Sequence, residues 1–218
     1  MKKIGKIANK TLHILLIFSI ILSCLSLSSC DRKYDEGEVK EALSELLKAV
    51  PVLNTVYFGR GIDYVSSSLS DGDYMEANFL HLNTLGFDTI SELKALTKEV
   101  FTEKYSEELF RTKLEDQGDG EYLIQRARYY QKYDYDGVTL MCIMVDSKMT
   151  AIFDDRLTYL PETVKVLGSE RRTVKCTVDC VVRDPDGNEQ TVTVNVDMIE
   201  EKNGWRIDNP IFANYSEN

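Results

Sequence analysis

The stretch 174–198 leaves a folding chain the fewest options. Val174, Cys176, Val178, Cys180 and Val182 alternate with polar residues, Asp184-Pro185-Asp186-Gly187-Asn188 comes next, and Val192, Val194, Val196 and Met198 then alternate again. A period of two over that length sends every apolar side chain to one face and every polar one to the other. Pro-Asp-Gly between two such runs is ordinary turn chemistry, so the stretch predicts an antiparallel hairpin with strands near ten residues long. The Asp-rich turn lacks the twelve-residue spacing and closing glutamate of a calcium loop.

The same alternation, rich in Tyr, Val and Thr, runs through the last hundred residues. Strands are expected at 121–130, 137–146, 149–155, 162–168, 172–183, 190–200 and 204–208, with Asn203-Gly204 as the last tight turn. Upstream the period changes. Val39, Leu43, Leu46, Leu47, Val50, Leu53 and Val56 recur at spacings of three and four, predicting an amphipathic helix from Val39 to about Tyr57 that breaks or kinks at Pro51. Gly59-Arg60-Gly61 and Leu69-Ser70-Asp71-Gly72-Asp73 read as turns. A second helix starts near Asp88, with Thr89 or Ser91 as cap, and carries Leu93, Leu96, Val100 and Phe101; a third spans 106–114. Helices succeeded by a run of strands predict an α+β fold, with N-terminal helices packed on one face of a curved antiparallel sheet.

The N-terminus has a different character. Lys2, Lys3, Lys6 and Lys10 precede an apolar run from Leu12 to about Leu22, and Leu27-Ser28-Ser29 leads into Cys30. This layout resembles the export signal and lipobox of bacterial lipoproteins. In that family the cysteine thiol receives diacylglycerol, the signal is cut before it, and the lipid holds the protein on the extracytoplasmic face of the cell membrane. Two acyl chains are needed for a durable anchor, because one binds only marginally. Cys24, after Ile21-Leu22-Ser23, is a second candidate; cutting there would leave Leu25 and Leu27 on the mature end and an unused thiol at position 30. The clean apolar run is shorter than the ~20 residues that span a bilayer. The expected organisation is a signal peptide over 1–29, a charged tether over 30–38, and a single α+β domain over 39–218.

The whole chain carries 26 basic and 36 acidic residues, a formal charge of −10. The leader holds four of those lysines and no acid, so the chain beyond it is more acidic still. An acidic surface with no basic cluster argues against nucleic acid and against electrostatic adhesion to anionic lipid, leaving the N-terminal lipid as the expected membrane contact. Beyond the leader lie Cys142, Cys176 and Cys180. Four residues apart in one strand, Cys176 and Cys180 would have Cα atoms about 13 Å apart. A disulfide needs less than about 7 Å, so these two are not expected to bond to each other.

Catalytic constellations are hard to find. His81 is the one histidine beyond the leader, flanked by Phe79, Leu80 and Leu82. With three dispersed strand cysteines it makes no ordinary zinc spacing, and no phosphate loop or nucleophile elbow occurs, so neither catalytic residues nor a metal or cofactor is expected. Tyrosines are the more suggestive group. Tyr122, Tyr129, Tyr130, Tyr133 and Tyr135 crowd one expected hairpin, and tyrosine gives contact area with a hydrogen bond at small entropic cost. Strict alternation places Arg126 and Arg128 on the face of Tyr122 and Tyr130, with Tyr129 opposite. These five tyrosines are the candidate binding residues; strand formation alone is the bland account of them.

Two resemblances bear on function. The ending Asn203-Gly204-Trp205-Arg206-Ile207-Asp208 resembles that of exported members of the cone-shaped nuclear transport factor and ketosteroid isomerase-like superfamily. More locally, over roughly 86–212, Phe87-Asp88-Thr89, Glu92-Leu93, Phe101-Thr102, Gly120, Tyr122 and Trp205 are similar to the IseA family of extracytoplasmic inhibitors of cell-wall endopeptidases. The second resemblance implies a lipid-anchored binding protein, not an enzyme, whose partner is a cell-envelope protein that remodels peptidoglycan. The first implies the alternative, a pocket protein that holds a small ligand or acts as an isomerase with an Asp base and a Tyr donor.

Overall fold

The computed structural model describes residues 34–65, 70–71, 74–115, 117–119, 123–125, 127–134, 137–143, 157–183 and 186–212. From Asp35 onward the chain groups as one compact unit. It is a mixed α+β structure with antiparallel sheets.

The predicted hairpin is its best-defined part. Strand β8 (Thr173–Arg183) pairs with β9 (Glu189–Glu201) in the register Val174↔Met198, Cys176↔Val196, Val178↔Val194 and Cys180↔Val192, so apolar residues meet apolar residues along one face. Val178, Cys180, Val182, Val196 and Met198 have no exposed surface. Strands β7 (Leu157–Glu170) and β10 (Gly204–Ile207) flank the pair, giving the order β10-β9-β8-β7. Cys176 and Cys180 are free thiols, and burial pushes both up to about 11, so they stay protonated and inert at neutral pH. Edge strand β7 is longer than the expected 162–168, and its pairing is irregular between Leu160 and Lys165. Pro161 in that interval has no N–H to give to a ladder. Thr163 restores part of the bonding, its hydroxyl oxygen accepting from the Asp179 N–H at 2.8 Å.

Helix α1 (Glu36–Leu46) lies against β7 and β10, the two outer strands of this sheet. Val39, Leu43 and Leu47 form its buried stripe, and truncating one such Leu costs about 2–5 kcal/mol. The helix begins three residues before Val39, so Glu36–Glu38 belong to its first turn and not to the charged tether expected over 30–38. The cause is local: the Asp35 carboxylate accepts from the Glu38 N–H at 3.0 Å, and acids suit the positive end of a helix. Glu38 also ties helix to sheet by accepting from Trp205 Nε1 at 3.2 Å. Pro51 stands in the first turn of α2 (Val50–Tyr57), where its missing N–H costs nothing, so the break expected at Pro51 falls just before it, at 47–49.

A second four-stranded sheet has the order β1-β2-β6-β5, built from β1 (Ser70–Asp71), β2 (Tyr74–Glu76), β6 (Gly137–Ile143) and β5 (Tyr129–Asp134). Short strands β3 (Gln117–Asp119) and β4 (Leu123–Gln125) pair separately. Among the described residues the expected single sheet is thus divided, and within the expected strand 121–130 β4 ends at Gln125 and β5 starts afresh at Tyr129. The expected strand 149–155 lies outside the described residues. Between the first strands and β3 run three helices, α3 (Phe79–Leu85), α4 (Ile90–Val100) and α5 (Glu103–Lys113). Helix α3 and strands β1 and β2 have no strong periodic signal in the sequence. Thr89, not Ser91, caps α4, completing a box in which Glu92 accepts from the Asp88 and Thr89 N–H groups. Thr102 caps α5 and starts it three residues ahead of the expected Ser106, while its N–H donates to Ile207 O at 2.9 Å, joining α5 to the end of β10.

Candidate functional site

The β5–β6 hairpin separates the candidate tyrosines. Tyr129 pairs with Cys142 and Tyr130 with Met141, so the two side chains leave the sheet on opposite faces. Tyr129 is 1% exposed; its hydroxyl donates to Val56 O at 2.8 Å and accepts from the Ile62 N–H at 3.3 Å, closing the turn after α2. It is a structural residue. Tyr130, half-buried, meets Tyr74 edge to face at 4.6 Å and packs on Met141. Tyr133 is 75% exposed. Tyr122 and Tyr135 lie outside the described residues, as does Cys30.

Tyr133 has exposed apolar counterparts that sequence reasoning missed. The Ala77 N–H donates to Leu140 O, while Tyr133 pairs with Val138, two residues back along β6. Phe79, two residues beyond Ala77, opens helix α3 just past the point where the chain leaves this sheet. Phe79 is 62% and Leu80 75% exposed. Single exposed apolar residues are ordinary; with Leu167 of β7, Tyr133, Phe79 and Leu80 are the large apolar residues most exposed among the described ones. The signal was present in Asn78-Phe79-Leu80: Asn78 caps α3 by accepting from the Leu80 N–H at 3.0 Å, and a capping residue with two apolar ones directly after it turns those outward at the first turn.

Arg128 departs from its expected place most clearly. Alternation places it on the Tyr130 face of a continuous strand, but the strand breaks at 127–128 and Arg128 turns inward to 3% exposure. Its N–H donates to Lys113 O at 2.6 Å, its Nη2 donates to Gly59 O at 2.6 Å, and its guanidinium lies 5.6 Å from the centre of the Tyr129 ring. Among the described residues Nε has no partner. The chain makes room for the side chain at Gly61, whose φ of +87° suits glycine; a Cβ there would sit 2.6 Å from Arg128 Nη2 and 2.7 Å from Tyr129 Oη. Close by, Lys113 Nζ stands 5.7 Å from the Phe58 ring centre, and Phe58 meets Phe212 at 5.3 Å. Burial and then Arg128 hold the Lys113 ammonium below the ordinary lysine range.

Other groups are accounted for by the fold. His81 Nδ1 accepts from the Asp63 N–H at 2.8 Å, which fixes the loop before β1. Behind the β7–β10 sheet, Asn54 Nδ2 donates to Tyr159 Oη and to Ile211 O, both at 2.9 Å, so an amide and not a carboxylate faces that buried tyrosine. Among the described residues no cluster of three metal-ligating side chains occurs, and no helix is long and apolar enough to cross a membrane. No protein-family model matches the chain, and no curated protein or solved structure is significantly similar to it.

Proposed function

We propose that this protein is a lipid-anchored extracytoplasmic binding protein, attached through Cys30 and recognising a cell-envelope protein with the exposed Tyr133 of β5 and Phe79 and Leu80 of α3. The observation that carries the reading is the exposure of these three large apolar side chains, Tyr133 on β5 and Phe79 and Leu80 on the first turn of α3. Tyr133 offers a rigid ring with a polar tip, and Phe79 and Leu80 offer apolar area, a combination suited to the centre of a protein interface. The resemblance to IseA-type inhibitors points to a peptidoglycan-remodelling enzyme as the partner, and an acidic domain suits a basic substrate cleft.

A cone-like architecture is part of the same proposal. Helix α1 approaches the outer strands β7 and β10 of a four-stranded sheet, which supports a sheet curved around the helix. In that architecture the alternative, a pocket protein or an Asp/Tyr isomerase, would need a cavity on the concave face, where Leu43 and Val39 are packed.

The test uses the purified full chain in detergent with purified wall endopeptidases. Inhibition that is lost in Leu80→Ser/Tyr133→Ser is the expected result; full endopeptidase activity beside the protein would remove the inhibitor reading. For the anchor, Cys30→Ser is expected to shift the protein from the membrane to the soluble fraction, and membrane partition after signal removal would refute lipidation there.

A further inference from the structure

We propose that Arg128 and Lys113 form a binding site for an organic carboxylate with an apolar body, the body lying against Phe58 and Phe212. The site uses none of Tyr133, Phe79 and Leu80.

A guanidinium taken out of water is costly unless it is paired and its donors are satisfied. Arg128 meets one carbonyl with Nη2 and, among the described residues, leaves Nε without a partner and pairs with no carboxylate. Lys113, next to it and half-buried, has no acid partner among the described residues either; its ammonium rests over the Phe58 ring. The sequence holds 36 acidic residues, and α5 itself carries Glu103, Glu107 and Glu108, yet no described acid is paired with these two cations. In so acidic a chain, two adjacent cations that lack a counter-ion among the described residues suit an anion from outside. Lys113 shows the same deficit, since Arg128 helps to hold its ammonium below the ordinary range; a bound carboxylate would reverse that push.

The chemistry of the walls narrows the ligand. Arginine presents a planar fork that matches a carboxylate, and lysine adds a second, movable donor. One side of the fork is committed to Gly59 O, so a single small oxyanion fits the donors left over. Phe58 and Phe212 are half-exposed and in mutual contact, and offer the carbon skeleton of an organic acid an apolar surface that inorganic phosphate would not use. Gly61 keeps the space by bringing backbone where a Cβ would displace Arg128 Nη2.

Calorimetric titration of the full chain in detergent micelles tests the site with phenylacetate, its neutral analogue phenylacetamide, and inorganic phosphate. Phenylacetate is expected to bind at least about tenfold more tightly than the amide, the size of one charge-assisted hydrogen bond. Lys113→Met is expected to weaken phenylacetate by about tenfold and Arg128→Met to abolish it. Lys113 is half-exposed at the end of a helix, so its variant keeps the test decisive if Arg128→Met does not fold. Equal affinity for acid and amide, unchanged affinity in Lys113→Met, no binding of any probe, or binding of phosphate without phenylacetate would each overturn the proposal.

Discussion

The two four-stranded sheets of this protein are built on opposite principles. In β7–β10, long strands alternate along β8 and β9, apolar residues from Val174 to Cys180 meet apolar partners across the ladder on the buried face, and that face holds Val, Cys and Met side chains with no exposed surface. In β1-β2-β6-β5 the strands are two to seven residues long, and tyrosines on the two faces of β5 do different work. A buried arginine is left half-satisfied beside it, and a tyrosine stands out in solvent. The first sheet obeys the local rules along β8 and β9 and departs from them on edge strand β7, where the register shifts between Leu160 and Lys165 and between Val166 and Gly168. The second breaks several, and departures of that kind gather where a protein binds something.

That contrast can be broken by mutation. Leu43→Ala, beneath the first sheet, is expected to lower stability by about 2–5 kcal/mol in chemical denaturation; a loss under about 1 kcal/mol would mean that α1 is not the keystone of that half. Gly61→Ala combines a left-handed backbone with a collision against Arg128 and Tyr129, and is expected to cost about 1–3 kcal/mol while perturbing tyrosine fluorescence. Tyr129→Phe removes the hydroxyl that serves Val56 O and the Ile62 N–H, with an expected loss of about 1–2 kcal/mol. Tyr133→Ser touches none of this and should stay within about 0.5 kcal/mol of the parent.

The smallest expected effect sharpens the comparison from outside both sheets. Glu92 is held below the ordinary carboxylate range, first by the Asp88 N–H and then by Thr89, in the box that caps α4. A depressed carboxylate contributes stability above its unfolded value of about 4.3 and loses it as pH falls through the folded value. Unfolding midpoints measured from neutral pH down to about pH 3 should therefore fall less steeply in Glu92→Gln than in the parent. A parallel pair of curves would show that the cap carries no charge-dependent stability.

Legibility in the sequence divides along the same line. The hairpin 174–198 was legible as two strands with one shared apolar face, because a one-residue slip would turn that face outward, while the register itself came from the structure. The caps were legible in type, and the choice between Thr89 and Ser91 needed the structure because both offer a hydroxyl within reach of the first turn. The division into two sheets was not legible: strands of three to seven residues carry too few alternations to reveal which partners they choose. Arg128 misled for a related reason. Alternation assumes an unbroken strand, and two irregular residues at 127–128 took Arg128 off the Tyr130 face and buried it. The proposed recognition residues were half legible, since the tyrosines were visible as a group while Phe79 and Leu80 were hidden in a helix of seven residues.

The central claim is that stability resides in the first sheet and recognition in the exposed Tyr133 of β5 and Phe79 and Leu80 of α3. Its most direct measurement is affinity capture from detergent-solubilised membranes with the full chain, comparing the parent with Leu80→Ser/Tyr133→Ser at equal thermal stability. The account predicts that one cell-envelope protein is enriched by the parent and lost from the variant. Equal capture by the two proteins would contradict it.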